Sequence, residues 1–124
     1  MPNLSSLTPD DTLYWYRLKS VFSNHDGDTA WLELDVGFRL AATVPLRLTG
    51  IDAPELGSEG ALVSRDYLRS RLDTAIEDGL PAMVRTYKTE KYGRWLSTIY
   101  VGSECINDTM LSLGLARPYN GGKR

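Results

Sequence analysis

Two arginines, Arg47 and Arg94, and four carboxylates, Asp26, Asp28, Asp52 and Glu55, fall within three short segments of the chain. Asp26-Gly27-Asp28-Thr29 is an acidic turn, and Arg47-Leu48-Thr49-Gly50-Ile51-Asp52-Ala53-Pro54-Glu55 carries one arginine and two carboxylates. Glu90-Lys91-Tyr92-Gly93-Arg94 adds the second arginine. A hard divalent cation takes oxygen ligands, a phosphoryl transition state takes guanidinium donors, and an attacking water needs a carboxylate near it. The three segments supply all of these, which is the inventory of a metal-dependent phosphodiesterase. Each segment alone has a plainer reading. An Asp-Gly pair between strands is ordinarily a turn, Asp52 before Ala-Pro can form a bend, and Arg47 can be a surface residue on a strand. It is their occurrence together that points to a site.

The elements that must position these residues follow from pattern. Tyr14 to Phe22 is aromatic-rich with partial alternation and predicts a first strand, closed by Ser23-Asn24 and the Asp-Gly turn. From Thr29 to Asp35, Ala30, Leu32 and Leu34 alternate with polar residues as in a half-buried second strand, and Val36-Gly37 begins the reversal. Val44 to Ile51 alternates again, placing Val44, Leu46 and Leu48 on one face and Arg47 and Thr49 on the other, so the guanidinium can point at a site rather than into the core. Ser58 to Asp78 carries Ala61, Leu68, Leu72, Ala75 and Ile76 at helical spacing, with Ser58 as N-cap and Gly79 at C′. Met83 to Tyr87 and Trp95 to Val101 read as a hairpin joined by the polar turn Lys88 to Gly93, which fixes Arg94 at the start of a strand. Asn107 reads as the N-cap of a short helix to Leu113, stopped by Gly114, and Leu115 to Arg124 reads as a mobile tail. Five strands with a helix between the third and fourth is the order of a small OB-type barrel.

Composition bounds the function classes. At 124 residues the chain reads as a single domain, 1–124, burying about two-thirds of the surface its unfolded form exposes. Residues 1–13 and 120–124 are expected to be flexible. The one cysteine, Cys105, has no second Cys or nearby His, so neither a disulfide nor a zinc site can be built on it and it reads as a packing residue. No run approaches a membrane span, and the start shows no basic and apolar export signal, so the expectation is a chain away from the membrane, cytoplasmic or encoded by a mobile element, with secretion left open. The net charge is −2 and the pI near 5.3, unlike a tight, strongly basic nucleic-acid binder. Residues 1–61 carry −5 and residues 62–124 carry +3, the acid coming from the metal-binding half. Such a balance suits an enzyme holding phosphate through a metal and a few arginines better than one relying on long-range electrostatic docking.

With an Asp-Gly-Asp-Thr turn, an Arg to Asp-x-Pro-Glu segment and a Lys-Tyr-Gly-Arg turn in this order, the chain resembles the staphylococcal nuclease (thermonuclease) family from about Lys19 to Tyr119. It looks most like the compact phage- and plasmid-borne members. Two departures stand out: a longer connection from Asp28 to Arg47, and an end where the secreted nuclease continues into a third helix. The resemblance implies a five-stranded OB-fold barrel with one main helix between strands three and four and a short C-terminal helix. It implies a calcium-dependent endonuclease that hydrolyses single-stranded or denatured DNA and RNA to 3′-phosphate ends, acting as a monomer. Asp28, Asp52 and the main-chain carbonyl of Ala53 are the implied Ca2+ ligands, with water and substrate phosphate completing the shell. Glu55 is the implied general base for a water at the metal, and Arg47 and Arg94 the implied stabilisers of the pentacoordinate phosphorus. Lys91 and Tyr92 match the family's terminal-phosphate contacts, and Tyr119 the aromatic on which a base stacks. Asp26 is read as a turn residue or outer support for the metal, and His25 as a solvated turn residue.

The rival reading is a non-catalytic OB-fold module that binds nucleic acid or protein. Such a module is expected to have lost acidic or arginine positions and gained a basic face, and this chain shows neither. A calcium-stabilised structural domain would explain Asp28 and Asp52 but gives Arg47, Glu55 and Arg94 no task.

Overall fold

In the computed structural model, which describes residues 14–119, the aromatic-rich opening segment forms β1 (Trp15–Asp26). There follow β2 (Thr29–Gly37), β3 (Leu40–Leu48), a short β4 (Ile51–Asp52), helix α1 (Ala61–Glu77), β5 (Ala82–Thr89), β6 (Trp95–Val101), β7 (Glu104–Cys105), helix α2 (Ile106–Ser112) and β8 (Arg117–Pro118). β1 pairs antiparallel with β2 and β5, β2 with β3, and β5 with β6. A parallel pairing of β3 with β6 closes the ring, giving the expected five-stranded OB-type barrel with α1 after β3 and β4 and the short α2 near the C-terminal end. The core is filled by inward residues of the strands, among them Leu32, Leu46, Leu48, Val84 and Ile99, and sealed by Leu68 and Leu72 of α1 and Ile106 and Met110 of α2. Among the described residues no helix is long and apolar enough to cross a membrane.

Several boundaries differ from the sequence reading, each for a local reason. β1 continues past Phe22 to Asp26 through three register shifts against β2, between Leu18 and Ser20, Val21 and Ser23, and Asn24 and Asp26. Each bulge interrupts the alternation on which the reading relied, and together they coil the strand as barrel closure requires. β3 starts at Leu40 instead of Val44, because Phe38 and Arg39 make a two-residue hairpin loop with φ of 56° and 63°. Such loops normally carry Asn or Gly at both positions, so the turn is marked only by Gly37, where the sequence reading begins the reversal. β3 then stops at Leu48, Gly50 takes φ 79°, and Ile51–Asp52 pairs anew as β4 with β8.

The helix starts also need correction. Gly60, at φ 81°, is the N-cap of α1, while the Ser58 hydroxyl is donated to the Glu55 carbonyl. The C-terminal end is as expected: Gly79 at C′ donates to the Ile76 carbonyl and Leu80 to that of Ala75. Cys105, not Asn107, is the N-cap of α2, and burial pushes its thiol up, in keeping with a packing role. The tail is tied down as far as Tyr119, since β8 pairs with β4 and Tyr119 N–H donates to the Gly50 carbonyl at 3.0 Å. The expected flexible stretches, 1–13 and 120–124, lie outside the described residues.

Asn107 is drawn away from capping by the barrel itself. Its Oδ1 accepts the Ile99 N–H at 3.1 Å, and its Nδ2 donates to the Thr49 carbonyl at 2.9 Å and the Ser97 carbonyl at 3.1 Å. One buried side chain thus staples α2 to β6 and to the end of β3, next to the parallel pairing that closes the barrel. Asn107→Ala is expected to cost about 2 to 3 kcal/mol in urea unfolding, because buried backbone groups lose their partners. A loss below about 1 kcal/mol would show that the staple contributes little.

Candidate active site

The register of the barrel brings three strand ends to one rim. Thr29, first in β2, is paired with Arg47 of β3, and Arg47 is paired on its other side with Leu96 of β6. Asp28 therefore lies just before β2, Arg47 near the end of β3, and Arg94 just before β6, all on neighbouring strands. β4 carries Asp52 to the same rim, and the loop after it carries Ala53 and Glu55.

Asp28 is the centre of this group. Its side chain is fully buried, and a buried carboxylate must be met by donors. Oδ2 accepts the Ala53 N–H at 2.8 Å and lies 3.0 Å from Arg47 Nη1, while Oδ1 accepts the Thr29 hydroxyl at 2.9 Å. Burial alone would raise the Asp28 pKa, but hydrogen bonds with Asp26, Ala53 N–H and Thr29, together with Arg47, outweigh it and hold the group below the usual carboxylate value. Asp26 moves the other way: desolvation, reinforced by its side-chain hydrogen bond and repulsion with Asp28, pushes it up to about 6. It also closes the turn by accepting the Asp28 N–H at 3.2 Å. The turn sits directly on α1. A Cβ on Gly27 would fall 1.9 Å from Ser64 Oγ and 3.0 Å from the Ala53 Cβ, so only glycine allows helix, turn and β4 loop to meet.

Arg47 is off the hydrophobic core, as the alternation requires, yet it is 5% exposed. It is buried by the site itself: Asp28 on one side, Asp52 Oδ1 at 3.8 Å from Nη2, and the Tyr119 ring 5.4 Å from its guanidinium carbon. One guanidinium thus reaches both Asp28 and Asp52, which fixes how closely the two carboxylates converge. Glu55 is exposed and borders two clefts. One, of about 430 Å3, is lined by His25, Asp26, Glu55, Leu56, Tyr92 and Arg94. The other, of about 550 Å3, lies between residues 52–55 and 58 and residues 114–117. Lys91 and Arg94 lie over the exposed Tyr92 ring, at 5.0 and 5.4 Å. The structure thus gathers Asp28, Arg47, Asp52, Ala53, Glu55, Arg94 and Tyr92 around one rim, with Lys91 against Tyr92 and Tyr119 over Arg47.

Three participants were not singled out from the sequence. Arg117 donates Nε and Nη2 to Asp52 Oδ2, both at 3.2 Å, a contact made by the β4 and β8 cross-strand pairing. Thr29 links Asp28 to Arg94 Nη1, 3.2 Å from its hydroxyl. Glu90 takes Arg94 Nε at 3.1 Å and Nη2 at 2.9 Å. For Glu90 a signal was available, since an acid four residues before an arginine in a tight turn is placed to pair with it. For Arg117 only the tertiary pairing reveals the contact.

As candidate cation ligands, Asp28, Asp52 and the Ala53 carbonyl are hard oxygen donors, the type calcium takes. Among the described residues no three His, Cys, Asp or Glu side chains group closely enough to hold a metal ion, so this donor set provides two side chains and no more. A cation held by these donors would keep part of its shell for water and phosphate.

The hydrogen bond to Arg94 holds the Glu90 carboxyl at about 2, against an ordinary 4.5. A lowered folded-state pKa means that this pair stabilises the protein fully above pH 4.5 and stops doing so as the pH falls to about 2. Arg94 stays charged throughout. In that window the unfolding free energy of Glu90→Gln is expected to fall less steeply with acid than that of the unaltered protein, and equal slopes would show that the pair carries no such linkage.

The family model for staphylococcal nuclease homologues matches residues 45–123, well over half of the chain. A protein of Colletotrichum graminicola named probable endonuclease LCL3 is 36% identical over 88 residues, covering 62% of this chain and 30% of that protein. The chain therefore spans less than a third of that relative's length. The matched range contains Arg47 and Asp52 at the barrel rim and Glu55 and Arg94 on the cleft beside it: the chain belongs to the staphylococcal nuclease family.

Proposed function

We propose that this protein is a calcium-dependent endonuclease that hydrolyses single-stranded or denatured DNA and RNA, leaves 3′-phosphate ends, and works as a monomer. Its membership of a nuclease family supports nuclease chemistry in general. The observation that carries the finer reading is the convergence of Asp28 and Asp52 on one guanidinium, with Glu55 and Arg94 bordering the same cleft. Asp28, Asp52 and the Ala53 carbonyl would hold Ca2+, which when bound supplies positive charge for the phosphate oxygens and for the attacking water.

The chain's own groups then divide the work. Glu55, exposed where the two clefts meet, orients the attacking water and accepts its proton. Arg47, held by Asp28 and covered by Tyr119, is placed for an equatorial phosphate oxygen. Arg94 faces the charge that develops on the departing oxygen. Planar, two-pronged guanidinium groups suit both tasks, and lysine would not replace them. Tyr92 and Lys91 stand at the mouth of the Arg94 cleft for a neighbouring phosphate, and Tyr119 offers a ring for a base. Stacking of this kind tolerates any base, so weak sequence preference follows.

The test is incubation with denatured DNA and with RNA, in calcium and in chelator, followed by identification of the new ends. Cleavage is expected only with calcium, with 3′-phosphate products. Arg94→Ala should lower turnover about a hundredfold, since one such donor contributes about 3 kcal/mol at the transition state. A loss below about tenfold with the fold intact would remove Arg94 from the chemistry. Nucleic-acid binding without cleavage would instead favour the non-catalytic binding module.

A further inference from the structure

A guanidinium carries five N–H donors in one plane. In Arg94 three are committed within the protein: Nε and Nη2 to the two oxygens of Glu90 and Nη1 to the Thr29 hydroxyl. Among the described residues this leaves one N–H on each terminal nitrogen, and Arg94 lines the cleft that Glu55 borders. Phosphate oxygens take N–H donors of this kind, and Glu90 holds neither of these two. Phosphate can therefore bind without breaking the Glu90 pair.

Both partners of Arg94 are themselves held. Glu90 Oε1 also accepts the N–H groups of Tyr92 and Arg94, each at 3.0 Å, and the Glu90 N–H donates to the Arg94 carbonyl at 2.8 Å. Its carboxylate is part of the turn and does not follow a moving guanidinium. Thr29 has a single hydroxyl hydrogen, which goes to Asp28 Oδ1, so its oxygen can only accept from Arg94. Donation runs outward from Arg94 on both sides, to Thr29 and on to Asp28 at one end and to Glu90 at the other.

We propose that Glu90 and Thr29 are positioning residues for the nuclease reaction: they hold the Arg94 guanidinium with its two remaining N–H groups toward phosphate, and Thr29 ties that placement to Asp28. The inference rests on the proposed nuclease function. The opposite role, in which Glu90 competes with phosphate and restrains Arg94, predicts faster turnover when Glu90 loses its charge.

Steady-state kinetics on denatured DNA with calcium, for Glu90→Gln, Arg94→Ala and the double variant, separates these roles. Glu90→Gln is expected to lower kcat about tenfold with KM changed less than about threefold, and to change kcat less than about twofold when Arg94 is already Ala. Thr29→Val should also lower kcat, and by less when Arg94 is already Ala, the remainder being its lost bond to Asp28, while Thr29→Ser, which keeps the hydroxyl, should recover most of the lost kcat. Thr29→Val carries the same cycle should Glu90→Gln fail to fold. The proposal is overturned by a rise in kcat, by no change, or by a loss that repeats in full in the Arg94→Ala background, as a general structural defect would. Absence of cleavage by the unaltered protein would instead overturn the nuclease function on which the proposal rests.

Discussion

A carboxylate withdrawn completely from water is costly, and the burial of Asp28 dictates much of what surrounds it. Its oxygens require donors, and these come from three separate parts of the chain: Thr29 in β2, Arg47 in β3, and the Ala53 N–H after β4. Meeting that demand draws the strand ends into one rim and leaves Asp52 and Glu55 beside it. Arg47 is fixed in turn because it answers Asp28 and Asp52 together. Removing either arginine or acid leaves an uncompensated buried charge, so the site and the fold around it are not independent.

The barrel supplies the rigidity this cluster needs. Parallel pairing of β3 with β6 sets Arg47 against Leu96, two residues from Arg94, and the bulged β1 lets the ring close tightly enough to do so. Helix α1 supports the acidic turn from below through the Gly27 and Ser64 approach and through Asn24, whose side-chain amide donates to the Arg65 carbonyl at 2.8 Å. From the C-terminal side, β8 pairs with β4 and delivers two further groups, Arg117 to Asp52 and Tyr119 to Arg47.

Much of this was legible beforehand where one residue pattern had one physical outcome. The alternation in β2, the hairpin of β5 and β6, the helical spacing of Leu68, Leu72 and Ala75, and the glycines closing both helices all formed as read. The reading failed where tertiary contacts outbid local preference. Asn107 has the chemistry of a cap but satisfies Ile99, Thr49 and Ser97 instead, and the strand after the reversal at Gly37 begins at Leu40, four residues before the alternation shows it. For the site, the motif residues were visible because their types are unusual at that spacing. Arg117 was not, because an isolated arginine in a tail has no local feature that distinguishes it from a solvated one. The carboxylate network that joins Glu90, Arg94, Thr29 and Asp28 likewise exists only once β2 and β6 flank β3.

The central claim is that Asp28 and Asp52 hold a calcium ion whose shell the substrate phosphate completes. Titration calorimetry with calcium, in the presence and absence of thymidine 5′-monophosphate, addresses it most directly, with Asp28→Asn as the comparison. The account predicts weak binding by calcium alone, clearly tighter binding with the nucleotide, and loss of both in Asp28→Asn. Calcium bound equally well with and without nucleotide, or unaffected by Asp28→Asn, would contradict it.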